Sequence, residues 1–529
     1  MEKGMLNIRR NGKKVILGIV KENKKILSIS DSSLRKAEIW EGIADGDHEV
    51  SYVLENGTNI IELTIGDKTI RPEQVQPPKQ AGQGNRNFNN NDRSAQHPTG
   101  IDSAKAPYSF IPINEEVIFV DEKEVPAFNS YKGYDGYIEL EIKAMSPIYI
   151  RRNLKPEEQE KEDALGHDHN NKEALAFKES LSGFNRPLDA AYRIPGSSLR
   201  GMIRTLYEIV TYSKMTMIDD HKLYFRSFAD KSIGDLLPPK HKSNDLDMTE
   251  AVFGRIADNQ AKMGRVYFED AICIDPKETN AAQHPKILSA PKPSSFQLYL
   301  HQDKNAIKLQ GKKIKFLNNY NTSGARLAGH KLYWHRDPKD WVADKQEVTN
   351  HQTQYTMIQP LDTGSVFKGR IRFLNLSKEE LGALLFVLNL PEGCCHKLGM
   401  AKPLGLGSVR LNAQLSLIDR KKRYSDLTSL GISATEDGEY VNAFINFLRD
   451  KLGLKGDIWE TERLKELKRI LDFAYKPDNE QTRYMEIEHG KNQEQRKVNE
   501  YSNRPILKKP SEIDNLTTKA LKIGTEPQK

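Results

Sequence analysis

A glycine- and lysine-rich segment, residues 396–410, constrains this chain more than any other feature. It reads His-Lys-Leu-Gly-Met-Ala-Lys-Pro-Leu-Gly-Leu-Gly-Ser-Val-Arg, with three glycines, two lysines and one arginine. Glycine permits φ > 0 and close approach of the backbone to a partner, and exposed N–H groups can form an anion nest. The segment therefore predicts a phosphate-bearing ligand. A glycine-rich hairpin with solvated lysines explains the spacing equally well.

The segment matches neither of the common nucleotide-binding loops. A Walker loop needs G-x-x-x-x-G-K-[ST], which the segment lacks. A dinucleotide-binding loop follows a strand and opens a helix, whereas this segment follows a predicted helix and leads into a predicted strand. Both nucleotide interpretations are thereby excluded.

Composition limits the class of protein. A chain of 529 residues predicts two or three domains, and a net charge of +7 suits a nucleic-acid binder. No apolar run approaches the length of a membrane span, and the first residues lack the apolar stretch of a signal peptide, so we expect a cytoplasmic protein without a membrane partner. The three cysteines form no C-x-x-C pair, and the cluster His167-Asp168-His169 is interpreted as a solvated loop rather than a metal site.

Changes in composition along the chain predict five segments. Residues 1–75 alternate apolar and polar side chains between turn signals, which is typical of a small β-barrel-like domain. Residues 76–107, rich in Gln, Asn, Gly and Pro, predict a flexible linker. The core is predicted over 108–415, with insertions near 155–185 and 212–250. A basic helical region over 416–483 and a polar tail over 484–529 complete the chain.

Within the core, periodicity predicts an α+β fold. Strands are expected over 137–142, 264–268, 296–300 and 367–373. One helix should begin near residue 196, capped by Ser197 or Ser198, and another after Ser377, with Glu380 completing a capping box. The order strand, helix, strands, helix, strand is typical of ferredoxin-like or RRM-like folds. The open sheet face of such folds is a common platform for single-stranded RNA.

Three motifs in this core resemble those of RAMP proteins, the repeat-associated subunits of CRISPR effector complexes. Residues 194–204 resemble their I-P-G-S-S-L-[KR]-G helix start. Residues 252–254 with 264–271 are similar to their F-G…G-R-[VL]-x-[FV]-x-D-A stretch, and 398–410 resemble their C-terminal glycine-rich signature. Residues 291–296, 329–335 and 381–384 look like a larger subgroup linked to type III systems.

The resemblance implies a RAMP core with insertions, acting as a backbone subunit of a type III-like interference complex. Its partners would be CRISPR guide RNA, target RNA and other RAMP-type subunits. A helix N-terminus favours phosphate, and we expect the helix start and the glycine segment to converge on one ribose-phosphate strand. The predicted RNA-binding residues are Arg151, Arg152, Gly196, Ser197, Ser198, Arg200, Gly201, Arg204, Lys397, Gly399, Lys402, Gly405, Gly407 and Ser408.

Two alternatives stay open from the sequence. Some type III backbone subunits cleave target RNA through a loop aspartate, and the candidates in the corresponding region are Asp163, Asp168 and Asp189. No tightly bound cofactor is predicted, although cleavage would call for Mg²⁺ or Mn²⁺. A lesser enzymatic hypothesis assigns general-base roles to His284, His330 and His335. The other alternative is an RNA-binding protein unrelated to CRISPR.

Overall fold

The structure is a computed structural model of the chain that separates into two compact units, 1–96 and 97–529. It describes residues 2–11, 14–21, 26–28, 46–55, 59–66, 68–70, 103–126, 129–165, 172–187, 191–216, 218, 232–257, 260–279, 281–288, 294–303, 308–310, 313–315, 317–350, 356–487, 499–501 and 504–513. Most of the predicted linker, 76–102, lies outside these residues.

The first unit is built on one antiparallel sheet. Its strand order is β3-β2-β1-β4-β5-β6. The bounds are β1 Glu2–Asn11, β2 Lys14–Lys21, β3 Ile26–Ser28, β4 Gly46–Glu55, β5 Asn59–Ile65 and β6 Lys68–Ile70. Alternate side chains such as Leu6, Tyr52 and Leu63 are buried on one face. The strands agree with the predicted β class, and the barrel-like topology stays a prediction.

The second unit mixes strands and helices, which confirms the α+β class. Its strands are β7 Ser103–Ala104, β8 Tyr108–Ile111, β9 Tyr134–Ala144, β10 Arg193–Ile194, β11 Arg255–Ala257, β12 Gln260–Lys262, β13 Val266–Phe268, β14 Ala271–Asp275, β15 Lys308–Gln310, β16 Lys313–Lys315, β17 His330–Tyr333, β18 Val366–Leu376, β19 His396–Lys397, β20 Ser408–Ile418, β21 Ile432–Thr435 and β22 Ile506–Leu507. Its α-helices are α1 Pro156–Leu165, α2 Lys172–Ser180, α3 Gly196–Val210, α4 Met248–Phe253, α5 Lys345–Asn350, α6 Lys378–Leu388, α7 Arg420–Ser425, α8 Gly438–Leu452 and α9 Glu462–Leu471.

One antiparallel sheet organises this unit, in the order β10-β14-β18-β9-β20-β19. Along the chain its main elements run β9, α3, β13 with β14, β18, α6 and β20. Ile138, Leu140 and Ile142 of β9 are buried in one core with residues of α3 and α6, so the helices cover that face of the sheet. Because side chains alternate along a strand, the intervening residues point to the opposite face.

The two helix starts on this sheet differ from each other. Ser377 and Glu380 form the predicted capping box at α6. At α3 the predicted serine cap is wrong, because Pro195 occupies the N-cap position and makes no side-chain hydrogen bond. The serines lie inside the first turn, where the Ser198 N–H donates to Pro195 O at 2.9 Å. The Gly196 N–H donates instead to Asp270 Oδ1 at 2.9 Å.

One predicted strand is wrong. Residues 296–300 contain a 3₁₀ helix, Phe296–Leu298, rather than a strand. The Leu298 N–H donates to Ser295 O and the Tyr299 N–H donates to Phe296 O, both at 3.0 Å. Leu298 and Leu300 are both buried in this conformation. A short apolar run cannot distinguish such a turn from a strand, because both conformations can bury its side chains.

The C-terminal part of the chain contributes to the core. Helices α8 and α9 lie within the predicted basic helical region, 416–483, and Phe444, Leu448 and Leu467 are buried in the main core. Residues 506–507, within the predicted polar tail, pair in parallel with Ser103–Ala104. No helix in the described ranges is both long and apolar enough to cross a membrane.

Two glycines of α3 provide a matched stability test. A Cβ at Gly196 would lie 2.2 Å from Phe268 O, whereas a Cβ at Gly201 would meet nothing within 4 Å. Gly196→Ala should therefore lower the free energy of unfolding by about 1–3 kcal/mol through overpacking. Gly201→Ala should raise the free energy of unfolding by about 0.5–1 kcal/mol, because glycine in a helix interior is destabilising relative to alanine. Urea unfolding measures both, and equal effects of the two substitutions would contradict the packing at Gly196.

Candidate nucleic-acid interface

The first motif lies at the edge of the central sheet, where β10 leads into α3. Its Ser197 is exposed and Ser198 is half-buried. The Arg200 guanidinium donates to Phe253 O at 2.6 Å. Arg204 is only 9% exposed and donates to Thr216 Oγ1 at 3.1 Å. The prediction that both arginines face a phosphate is therefore wrong for Arg204, whose guanidinium is turned into the protein.

The glycine-rich segment forms a tight structural turn. Gly399, Gly405 and Gly407 have φ values of +87°, +99° and +78°. A Cβ at Gly407 would lie 1.8 Å from Leu398 O, so no other residue fits there. Ser408 is fully buried. This side chain cannot reach an external ligand, and its predicted contact with RNA is wrong.

The two lysines of this turn donate hydrogen bonds to oxygen atoms of the turn itself. Lys397 Nζ donates to Gly405 O at 3.2 Å and to Ser408 Oγ at 3.1 Å. Lys402 Nζ donates to Gly399 O at 2.7 Å. Burial, reinforced by neighbouring cations, holds the pKa of Lys397 well below its usual value. Burial alone lowers the pKa of Lys402. Both lysines are half-buried, whereas the hairpin interpretation expected fully solvated side chains.

The start of motif one and the glycine turn are linked through one short segment of backbone. The Arg193 N–H donates to Asn185 O at 2.9 Å, and the Asn185 N–H donates to Ile150 O at 2.8 Å. The Met400 N–H of the glycine turn donates to Tyr149 O at 2.8 Å, next to Ile150. The two motifs are linked in this way although β10 and β19 lie at opposite ends of the sheet order. Their joint contact with one ribose-phosphate strand stays a prediction.

The predicted pair Arg151 and Arg152 is already engaged within the protein. Arg151 is exposed and its guanidinium donates to Thr356 Oγ1. Arg152 donates to both carboxylate oxygens of Glu158, at 2.5 and 2.7 Å. These hydrogen bonds, with one from the Lys155 N–H, lower the pKa of Glu158 to about 2. Arg152 thus serves first to hold the start of α1.

The structure describes one of the three candidate catalytic aspartates. Asp163 is exposed on α1, where Gln159 Nε2 donates to its Oδ1 at 3.2 Å. Asp168 and Asp189, like His167 and His169, lie outside the described residues. Across the residues that the structure does describe, no group of three or more His, Cys, Asp and Glu side chains could hold a metal ion. The catalytic role stays a prediction.

Two of the histidines considered as general bases are structural. His335 is buried, with Nδ1 2.8 Å from Ser408 Oγ and Nε2 3.0 Å from Cys395 O. His330 is buried beside Glu208, with Nδ1 3.6 Å from Oε1. Burial lowers the pKa of both imidazoles well below the ordinary value. Neither ring can reach a substrate in this structure.

The exposed sheet face carries a basic stripe that the sequence prediction missed. Lys368, Arg370 and Arg372 alternate along β18 with the buried Phe367, Ile371 and Phe373. On the neighbouring strands, Lys143 of β9 lies opposite Arg410 of β20, and both are exposed. The period-two spacing of the β18 cations was readable in the sequence. Their common exposed face follows only from the buried alternate residues.

Aromatic rings accompany these cations. Tyr267, Arg372 and Tyr137 are direct neighbours in one row across β13, β18 and β9. Both tyrosines are half-buried.

The cations of this face differ in their partners. The Arg370 guanidinium lies 4.5 Å from the centroid of the Tyr137 ring and 2.6 Å from Glu139 Oε1. Arg372 pairs with Glu269 at 2.8 Å. In the described ranges, no ion pair of 4 Å or less engages Lys143 or Lys368, and the exposed Glu141 of β9 is the direct cross-strand neighbour of Lys368.

Comparisons with known proteins establish the family. The RAMP superfamily profile matches residues 141–410, just over half of the chain. The chain belongs to the RAMP superfamily, which confirms the resemblance drawn from its three motifs. Among solved structures, the chain is similar to a component of a Type IV-B CRISPR Complex, with 16% identity, a TM-score of 0.24, and coverage of 52% of this chain and 90% of that one. No curated protein matches the chain.

Lys397 predicts a pH dependence of stability. Its folded-state pKa lies below that of the unfolded chain, so the unfolded state binds the proton more tightly and stability should rise with pH towards the ordinary lysine pKa of about 10.4. The rise from this single group can reach about 1.4 kcal/mol per pH unit. Lys397→Met should reduce this rise of the free energy of unfolding with pH, measured by urea unfolding between about pH 7 and pH 9. The exposed Lys455→Met is the control, and an equal rise in both variants would contradict this burial.

Proposed function

We propose that this chain is an RNA-binding backbone subunit of a CRISPR effector complex that holds guide RNA for pairing with target RNA. Membership of the RAMP superfamily supports a place in such a complex. The strand–helix–strand–strand–helix–strand order of the second unit supports a ferredoxin-like core. The stretches that look like a type III-linked subgroup favour a type III-like complex, in which other RAMP-type subunits are partners.

The observation that carries the proposal is the exposed face of the central sheet. Cations on β9, β18 and β20 can neutralise phosphates without reading sequence, as a carrier of variable guides requires. The half-buried Tyr137 and Tyr267 offer ring surface against which unstacked bases can pack. The proposed path of single-stranded RNA therefore crosses the exposed face of the sheet.

The first test removes two of these charges. Lys143→Gln with Lys368→Gln should weaken binding of labelled single-stranded RNA and reduce the slope of log affinity against log salt by about 1.4, at about 0.7 per lost phosphate contact. Fluorescence anisotropy over a salt series measures both quantities.

The matched control is Lys451→Gln with Lys455→Gln, which removes the same charge from exposed positions in and just after α8. It should change the slope less. An unchanged affinity and slope in the folded sheet-face variant would refute this binding surface.

Small RNAs that copurify with the native complex should contain repeat-derived sequence, and the absence of such sequence would refute the CRISPR assignment.

A second test addresses stacking. Tyr137→Ala should weaken RNA binding by about 1–3 kcal/mol, the usual contribution of one base stacked on an aromatic ring. Tyr424, which is 78% exposed on α7, supplies the control substitution Tyr424→Ala. Binding measured at one salt concentration separates this effect from charge. Equal losses in the two variants would argue against a specific contact at Tyr137.

A further inference from the structure

A cavity of about 390 Å³ opens beside the glycine turn, away from the positions used in the proposed sheet-face contact. Its size falls within the range of about 300–1,000 Å³ that is typical of small-molecule sites. Five tyrosines from separate parts of the chain line it: Tyr108, Tyr299, Tyr333, Tyr484 and Tyr501. Tyr108 and Tyr299 are nearly parallel, with an angle of 19° between their planes.

Two lysines share this aromatic wall. Lys331 Nζ lies 4.0 Å from the centroid of the Tyr108 ring and 5.3 Å from that of Tyr333. Lys402 Nζ lies 6.0 Å from the centroid of Tyr333 on the same wall. Burial lowers the pKa of both amino groups, with no carboxylate opposing the effect.

The lining leaves this positive charge uncompensated. Among the described residues that line the cavity there is neither Asp nor Glu, and no ion pair of 4 Å or less in the described ranges engages either lysine. Desolvated ammonium groups are costly unless an anion accompanies them. Ring faces offer cation–π attraction, which compensates only part of that cost. An anionic ligand would supply the missing charge.

We propose that this cavity binds one nucleotide, with its base against the tyrosine rings and its phosphate beside Lys331 and Lys402. Planar bases suit ring faces, and tyrosine hydroxyls add hydrogen-bonding groups at the rim of each ring. Lysine binds phosphate as a point charge. The nucleotide is either an unstacked residue of an RNA strand or a free mononucleotide, since both present the same base and phosphate.

The site is distinct from the sheet-face contact of the proposed function. Two of its rings come from β8 and β17, and a third follows the 3₁₀ helix Phe296–Leu298. The other two are Tyr484 and Tyr501. Lys402, predicted from the sequence as an RNA ligand, belongs to it. The inference holds whether or not RNA crosses the sheet, because the cavity has its own charges and rings.

Met400 allows a test that leaves the buried lysines intact. This residue lines the cavity and is 40% exposed, so a substitution there has room for a polar side chain. Met400→Glu places a carboxylate beside the two ammonium groups and should repel a phosphate. Met400→Gln has almost the same shape without the charge and serves as the matched control.

The full-length chain and its variants are titrated with AMP by calorimetry and with a labelled eight-nucleotide RNA by anisotropy. Met400→Glu should weaken binding at least tenfold relative to Met400→Gln, and Lys331→Met with Lys402→Met should do the same relative to the exposed Lys123→Met. AMP binding that depends on these residues identifies a free nucleotide, and a response with RNA alone identifies a nucleotide within a strand. The double substitution Lys143→Gln with Lys368→Gln should leave AMP binding unchanged. A failure of the sheet-face proposal can therefore be distinguished from a failure of the nucleotide site. Equal affinities of Met400→Glu and Met400→Gln for both probes, in variants that melt alike, would overturn the nucleotide site.

Discussion

The buried ion pair between Arg265 and Glu380 holds the second unit together. Arg265 Nη1 donates to Glu380 Oε2 at 2.9 Å and to Asn375 O at 2.7 Å, and Nε donates to Ala251 O at 3.1 Å. These contacts connect α4, the start of β13, the end of β18 and the first turn of α6. A buried guanidinium tolerates desolvation only when its donors are satisfied, so these elements must assemble together.

This pair gives a physical meaning to one family motif. Glu380 both accepts from Arg265 and completes the capping box of α6, which fixes the helix on the covered face of the sheet. The exposed face is left for the cations of β18. Gly196 and the turn at Gly407 serve in the same way, because each permits a backbone approach that a side chain would block. Motif residues in this chain therefore build the sheet and its edges.

Separating architecture from binding changes where a ligand is expected. Arg204, Ser408 and Lys397 direct their polar atoms into the protein, although their residue types suggested phosphate contacts. The exposed positive charge lies instead on strands, at alternate positions between buried residues. A positive residue near a glycine is thus a weaker guide to an RNA contact than a positive residue on an uncovered face.

The sequence by itself determined the α+β class, the RAMP relationship, the capping box at Ser377 and the principal strands, because these depend on local periodicity and short motifs. It could not determine which lysines and arginines are satisfied internally, since Lys397 finds Gly405 O only after the turn closes. It also could not bring five distant tyrosines to one cavity. Only the tertiary structure decided these points, because the burial of a charge and the meeting of remote rings depend on contacts between segments far apart in the chain.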